Sequence, residues 1–351
     1  WYASDRIEPP SPAEVLLSQK NEKAISHAGS FFRPLTQQER CIPPSFVYPD
    51  VMPTPLHEQA VHWNHQQATD IQILSAQALD AVNEHALMYV LANARELFSN
   101  PRRFVEAITA VREAVGYQKI LYTPGLGWPD ELALLAYCTV DLVDSLPLLE
   151  AARRDMFLSI DGVAPVDDFE AVPCRCPGCI DGEGFTGLLQ HNYNAALAEL
   201  HRIRHALTSG VFRTLVERRC QVSPRHLSIL RLLDAEQASF QEARFPVQGG
   251  MITATPLSLT RPDIERFRHR ILTRYRKPSS ASLLLLLPCS AGKPYSTSRS
   301  HRRFAEAIAA SGNPYAVHSV VVTSPLGIVP LELDAVYPAA HYDISVTGKW
   351  S

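Results

Sequence analysis

Three cysteines crowd into one short turn, Cys174-Arg-Cys176-Pro-Gly-Cys179, and His191 follows where an apolar helical pattern begins. No other feature restricts the fold so tightly. Three soft thiolates and one imidazole satisfy a tetrahedral Zn²⁺ only if the turn and the helix are held together. Pro177 and Gly178 between the cysteines supply the bend such a knuckle needs. Four protein ligands leave no open position on the metal, so the expected zinc is structural. His201 and His205 lie further along the same helical stretch, and His191 is taken as the fourth ligand because it is nearest the turn. The plain alternative is three reduced thiols in a loop. Cys41, Cys138, Cys220 and Cys289 are scattered, and the total of seven is odd, which argues against a disulfide framework and for an intracellular, cytoplasmic protein.

The rest of the chain is ordinary in composition, with 46% hydrophobic and 20% charged residues over 351 positions, so disordered and collagen-like classes are excluded. The longest aliphatic run, Leu283 to Leu287, stops at Pro288, whereas a membrane span takes about 20 apolar residues. No membrane partner is expected. The chain opens on Trp1 rather than Met, as a fragment edge does, and carries no secretory signal pattern. A net charge of −3 offers no global attraction to nucleic acid, but Arg261, Arg266, Arg268, Arg270, Arg274, Arg276 and Lys277 are clustered. That stretch is either a phosphate-facing surface or a solvated basic helix.

Hydrophobic patterning predicts an alternation from residue 80 onward. Ala86 to Leu91 reads as a buried strand. Asn100 and Pro101 start a helix that turns Phe104, Ile108, Val111 and Val115 to one face and closes at Gly116. Lys119 to Tyr122 is a second strand, Pro129 to Tyr137 a helix, and Val140 to Val143 a third strand. Strand–helix alternation implies parallel pairing with right-handed crossovers, and such folds keep their sites at the C-terminal ends of strands. Asp144 stands at such an end, as a site carboxylate or a helix cap. Residues 192 to 235 are helical with a break at Gly210, and 236 to 260 become strand-like. Ser282 to Leu287 is a buried strand, Ser300 caps a helix with Phe304 and Ile308 inward, and Ala316 to Thr323 is a strand.

The loop of that last unit is dense in reactive groups: Pro288-Cys-Ser-Ala-Gly-Lys-Pro-Tyr-Ser-Thr-Ser-Arg-Ser-His301. It sets a thiol at a strand end ahead of a lysine, a phenol, several hydroxyls and an imidazole, then a helix N-terminus. Helix dipoles and nearby cations lower a thiol's pKa, which is how a cysteine becomes a nucleophile; a buried, inert Cys289 is the bland alternative. Lys293 and His301 could bind phosphate. Gly292-Lys293 is not a phosphate loop, because Pro294 follows where Ser or Thr is required.

These residues resemble the archaeosine synthases, archaeal relatives of tRNA-guanine transglycosylase. The family hallmark Pro-Cys-x3-Lys-Pro-Tyr-x2-Ser-x2-His is matched by Pro288, Cys289, Lys293, Pro294, Tyr295, Ser298 and His301. Thr323 to Pro330 and Tyr337 to Asp343 are also similar, and on them the resemblance implies substrate-binding roles for Ser324, Gly327 and His341. Val140 to Ser145 with Ala152-Arg153 resembles the segment that carries the transglycosylase nucleophile, and Asp144 falls on it. The cysteine turn with His191-Asn192 resembles the superfamily's zinc site, though Cys179 and His191 stand closer in sequence than is usual.

The resemblance implies an α/β fold. It consists of a partial or shortened transglycosylase-like (β/α) barrel with a zinc-binding helical subdomain, followed by a smaller α/β domain. A full barrel takes about 250 residues, and here the cysteine turn already begins at residue 174. The corresponding division is a loop-rich segment over 1–60, barrel over 61–165, zinc subdomain over 166–235, linker and basic segment over 236–280 and α/β domain over 281–351. The Pro-rich beginning offers no early-strand Asp for acid–base work, and the family's usual terminal RNA-binding PUA domain has no counterpart before Ser351. The implied reaction adds free lysine to the nitrile of 7-cyano-7-deazaguanine in tRNA. Cys289, Lys293, Tyr295, Ser298, His301 and Asp144 are the candidate catalytic residues. Its partners are tRNA and lysine, with room for a homo-oligomer and a downstream pathway enzyme. The alternatives are a transglycosylase exchanging guanine for a deazaguanine, and a non-catalytic tRNA-binding subunit.

Overall fold

A computed structural model describes residues 71–76, 79, 82–166, 173–244 and 249–344. The loop-rich 1–60 segment, Cys41 and Phe245-Pro-Val lie outside them. The chain divides into two units, one of residues 1–202 with 219–232 and the other of 203–218 with 233–351.

The first unit grows from strand β2 (Met88–Leu91), whose four side chains are all buried, as a strand covered on both faces requires. It pairs in parallel with β1 (Ile71–Leu74) on one side and β3 (Ile120–Tyr122) on the other. Parallel neighbours need a crossover, supplied here by α1 (Ala94–Ser99) and α2 (Pro101–Val115). Helix α2 starts as the sequence predicts. Asn100 accepts a hydrogen bond from the Arg103 amide at 3.2 Å, Pro101 takes the first turn, and Gly116, at φ 77, ends it. Phe104, Ile108 and Val111 are buried, each stabilising by roughly 1.5–3 kcal/mol.

The expected strand over 140–143 is reduced to one parallel bridge, Tyr122 to Leu142. Asp141 gives the reason. Its carboxylate accepts the Leu121 amide at 3.0 Å and the buried Arg112 guanidinium at 2.5 Å, so a side chain competes with the ladder at the edge of β3. Beyond it come α3 (Pro129–Tyr137), α4 (Leu146–Arg153), the antiparallel hairpin β4 (Met156–Ser159) and β5 (Gly162–Pro165), and the short α5 (Pro177–Ile180). No closed barrel is present among the described residues.

Helices α6 (Gly184–Thr208), α7 (Phe212–Cys220), α8 (Pro224–Glu236) and α9 (Ala238–Arg244) follow. The break at Gly210 is present, and a second falls before Pro224. Because α6 begins at Gly184, His191 stands about two turns inside the helix rather than at its start. The residues after 236 are helical before they are strand-like, with β6 limited to Ile252–Ala254.

The second unit pairs β6 with β10 (Tyr342–Ile344) and builds a separate sheet from β7 (Leu283–Pro288), β8 (Val317–Thr323) and β9 (Gly327–Pro330). β7 and β8 are parallel, joined through the reactive loop and α11 (Arg299–Ala309). Phe304 and Ile308 are half-buried as expected, but the helix is capped by Ser298, not Ser300: Ser298 Oγ accepts the His301 amide at 3.3 Å. β7 is not a buried strand. Leu283, Leu284 and Leu286 are more than half exposed, because the core of Ile264, Phe267, Val321 and Val329 takes only Leu287 fully and Leu285 partly.

A buried polar network is also in this unit. Arg213 bonds Glu217 at 3.0 Å, Asp234 at 2.6 Å and Gln241 at 3.0 Å. Arg261 reaches both oxygens of Asp263 at 3.0 Å, and Tyr337 donates to the same carboxylate at 2.6 Å. Arg261 is therefore not part of a phosphate-facing surface, since its charge is consumed inside the fold.

Candidate functional site

The cysteine turn and His191 converge. The thiols of Cys174, Cys176 and Cys179 and one ring nitrogen of His191 lie within 4.8 Å of one another. Cys176 Sγ is 3.8 Å from Cys179 Sγ, and His191 Nδ1 is 3.5 and 3.3 Å from these two sulfurs. A tetrahedron with Zn–S bonds of about 2.3 Å has edges of about 3.8 Å, so the donor set fits a zinc ion. His191 is oriented for this. Its Nε2 sits 2.9 Å from the Leu158 carbonyl, which fixes the hydrogen there and turns the Nδ1 lone pair to the thiols. The ring stacks on Phe157 at 3.9 Å. Sequence reasoning left Asn192 without a task. Its side chain accepts the Leu158 amide and donates to the Met156 carbonyl, clamping β4 to α6. Gly178 is required for the approach, because a Cβ there would meet the Gly187 carbonyl at 2.6 Å.

Asp144 lies in the first unit, after the Thr123–Trp128 loop. Its Oδ2 accepts the Tyr122 hydroxyl at 2.8 Å and the Gly125 amide at 2.9 Å, and its Oδ1 accepts the Leu146 amide at 2.8 Å. Burial pushes its pKa up, and these donors act against the shift. A carboxylate so engaged organises the loop and the start of α4. Beside the same loop, Glu131 accepts the Gly127 and Trp128 amides, and burial raises its pKa to about 7 and that of Asp130 to about 6.

The second unit assembles most of the reactive loop. Cys289 is half-buried at the C-terminal end of β7. Lys293 is half-buried too, its Nζ 4.2 Å from the centre of the Tyr342 ring and 5.7 Å from that of Tyr295. Burial lowers its pKa, while the charges of Asp343 and Cys289 act in the opposite direction. Tyr295 is fully buried and donates to Thr323 Oγ1 at 3.1 Å, and the hydroxyls of Tyr295, Thr323 and Tyr342 bond one another. Burial pushes both phenols up, so they remain protonated donors. His301 is buried with Nε2 3.0 Å from the Pro288 carbonyl. That contact puts the hydrogen on Nε2 and leaves Nδ1 as a buried lone pair without a partner.

The other expected residues divide. Ser298 is occupied as the cap of α11, and it fixes the backbone that carries His301. Ser324 is exposed. Gly327, at φ 79 with open space around a notional Cβ, is required by the turn into β9. His341 is half-buried and has an unpartnered Nδ1. Thr323 and Tyr342 received no role from the sequence. The signal available for Thr323 was its place at the C-terminal end of a parallel strand, and for Tyr342 its place inside the Tyr337 to Asp343 motif.

A family model described as a domain of unknown function, DUF5591, matches residues 264–351, which contain the whole reactive loop. An archaeosine synthase subunit alpha from Methanosarcina acetivorans is 38% identical over 75% of this chain and 44% of its own length. An archaeosine synthase from Haloferax volcanii is 37% identical over 75% of this chain and 45% of its own. A tRNA-guanine(15) transglycosylase from Methanothermobacter thermautotrophicus is 31% identical over 69% of this chain and 38% of its own. The chain thus spans under half the length of these curated relatives. No helix among the described residues is long and apolar enough to cross a membrane. By sequence the chain is a homologue of the archaeosine synthase alpha subunits, among relatives that include the tRNA-guanine(15) transglycosylases.

Proposed function

We propose that the chain carries the lysine-adding step of archaeosine formation, in which the amine of free lysine attacks the nitrile of 7-cyano-7-deazaguanine in tRNA. A new C–N bond forms at the nitrile carbon, and one electron pair of the triple bond moves to the nitrile nitrogen. A proton leaves the amine and another reaches that nitrogen, so the product amidine keeps every atom of both reactants. The observation that carries the reading is the loop from Cys289 to His301, where a base and several donors stand in one unit. His301 Nδ1 is the lone pair free to take the amine's proton. Lys293 and the hydroxyl cluster of Tyr295, Thr323 and Tyr342 are the donors for the developing imide nitrogen. Ser298 positions His301, and Ser324, Gly327 and His341 belong to the proposed substrate side. Cys289 would attack first to give a thioimide that lysine then displaces, which splits one addition into two.

Zinc at Cys174, Cys176, Cys179 and His191 would supply structure and no chemistry, since it has four protein ligands. The sequential parallel order of β1, β2 and β3, extended by the bridge at Leu142, supports reading the first unit as the arc of a shortened transglycosylase-like barrel. The domain limits drawn from the sequence are part of the same proposal. So are tRNA and lysine as partners, a second copy of the chain, a downstream pathway enzyme and a cytoplasmic setting. Guanine exchange is the weaker reading, because Asp144, the aspartate that falls on the nucleophile position, is held by three donors.

The test is transfer of radiolabelled lysine to tRNA bearing 7-cyano-7-deazaguanine, with released guanine measured in parallel. Lysine transfer without guanine release is the expected result, and guanine release without lysine transfer would replace this reading with base exchange. A covalent enzyme–tRNA adduct that disappears in Cys289→Ala is expected for the thioimide; full turnover by that variant would make Cys289 a packing residue.

A further inference from the structure

We propose that a groove beside α10 (Pro262–Arg274) binds the phosphate backbone of the tRNA, a partner that rests on the function proposed above. The groove has a volume of about 530 Å³, with Arg266, Arg270 and Arg274 on one wall and Val336, Tyr337 and Pro338 among the residues of the other. The three arginines are four residues apart, which sets them on one stripe of the helix at steps of about 6 Å. Phe267, Ile271 and Tyr275 repeat with the same period on the neighbouring stripe and form an apolar and aromatic floor.

The charge is available to a ligand. Glu242 holds Arg266 at 3.2 Å, but Arg270 and Arg274 are exposed and make no ion pair or side-chain hydrogen bond among the described residues. The nearby carboxylates are already engaged. Asp263 is held by Arg261 and Tyr337, and Glu332 by Tyr275. A guanidinium fork pairs with phosphate through two parallel hydrogen bonds. One phosphate would occupy one arginine, whereas a regular row of them matches a polymer that repeats its charge. Positive grooves with aromatic walls are the way proteins follow a nucleic-acid strand without reading its sequence. Of the clustered basic residues, Arg261 is spent inside the fold on Asp263, and Arg268 is paired at the surface with Glu265 and the Pro325 carbonyl, so Arg270 and Arg274 carry the unpaired charge of this helix among the described residues.

Filter binding of the full chain to a tRNA transcript across a salt series tests this. The double variant Arg270→Glu, Arg274→Glu should bind roughly tenfold or more weakly, and the slope of log Kd against log salt should shrink by about 1 to 2. Arg270→Lys, Arg274→Lys should keep most of the affinity. Zinc content and Tm should not change, because neither side chain has a partner to lose among the described residues. Wild-type affinity and slope in the Glu variant would overturn the proposal, as would a wild-type chain that binds no tRNA. A chain that binds through these arginines but adds no lysine would remove the proposed reaction and leave the groove standing. Lysine transfer with unaltered binding in the Glu variant would do the reverse.

Discussion

Two cysteine-bearing turns in this chain have opposite local chemistry. Around Cys174, Cys176 and Cys179 every donor points to one centre, the histidine tautomer is fixed by a backbone carbonyl, and three glycines let turn and helix close on each other. Around Cys289 the polar atoms are joined in a cluster of hydroxyls, and a buried imidazole nitrogen is left without a partner. A buried lone pair without a donor is destabilising by about 1–3 kcal/mol. The first turn has its ligand set complete and is suited to hold; the second keeps unsatisfied groups and is suited to react.

The largest effect should come from breaking the first turn. Cys176→Ser, or chelation of the metal, should lower Tm by roughly 10 °C or more and remove the zinc, whereas Cys289→Ala should shift Tm by no more than about 2 °C. Equal shifts in the two variants, read by thermal unfolding and metal analysis, would erase the distinction. Next, Lys293→Met keeps an aliphatic stem against Tyr342 but removes the amine. Lysine transfer should fall by roughly 100-fold or more with zinc retained. Tyr342→Phe should be milder, a loss of about 10- to 100-fold in kcat with little change in Tm, because one hydroxyl of the cluster is removed and the ring stays.

The smallest effect is on pH dependence in the first unit. Glu131 and Asp130 have folded pKa values of about 7 and about 6, above the ordinary carboxylate range, because burial disfavours their charge. The folded state therefore binds more protons than the unfolded chain, and stability falls as pH rises from about 4 to 7. Asp130→Asn should flatten that fall in a series of unfolding curves; an unchanged slope would mean the pair is solvated.

Much of this was legible from residue order alone. The capping of α2 by Asn100, its closure at Gly116 and the helix over 129–137 follow local rules that tertiary contacts did not override. The convergence of Cys174, Cys176, Cys179 and His191 was legible because three thiols and an imidazole at that spacing are a specific donor set. What failed depended on neighbours. The 140–143 strand was lost to the Asp141 and Arg112 contacts, and burial of Leu283 to Leu286 needed a covering layer that no local pattern announces. Arg261 looked like its basic neighbours in sequence, yet its nearest partner is two residues away inside the core. Tyr342 and Thr323 come from strands of two different sheets, β10 paired with β6 and β8 paired with β7 and β9, so no spacing rule could pair them.

The most direct test of the account is nucleoside mass spectrometry of tRNA bearing 7-cyano-7-deazaguanine after incubation with the chain and lysine. A mass gain equal to one whole lysine, without loss of water, is expected, and it should vanish in Lys293→Met. An unchanged nucleoside in the presence of intact tRNA binding would contradict it.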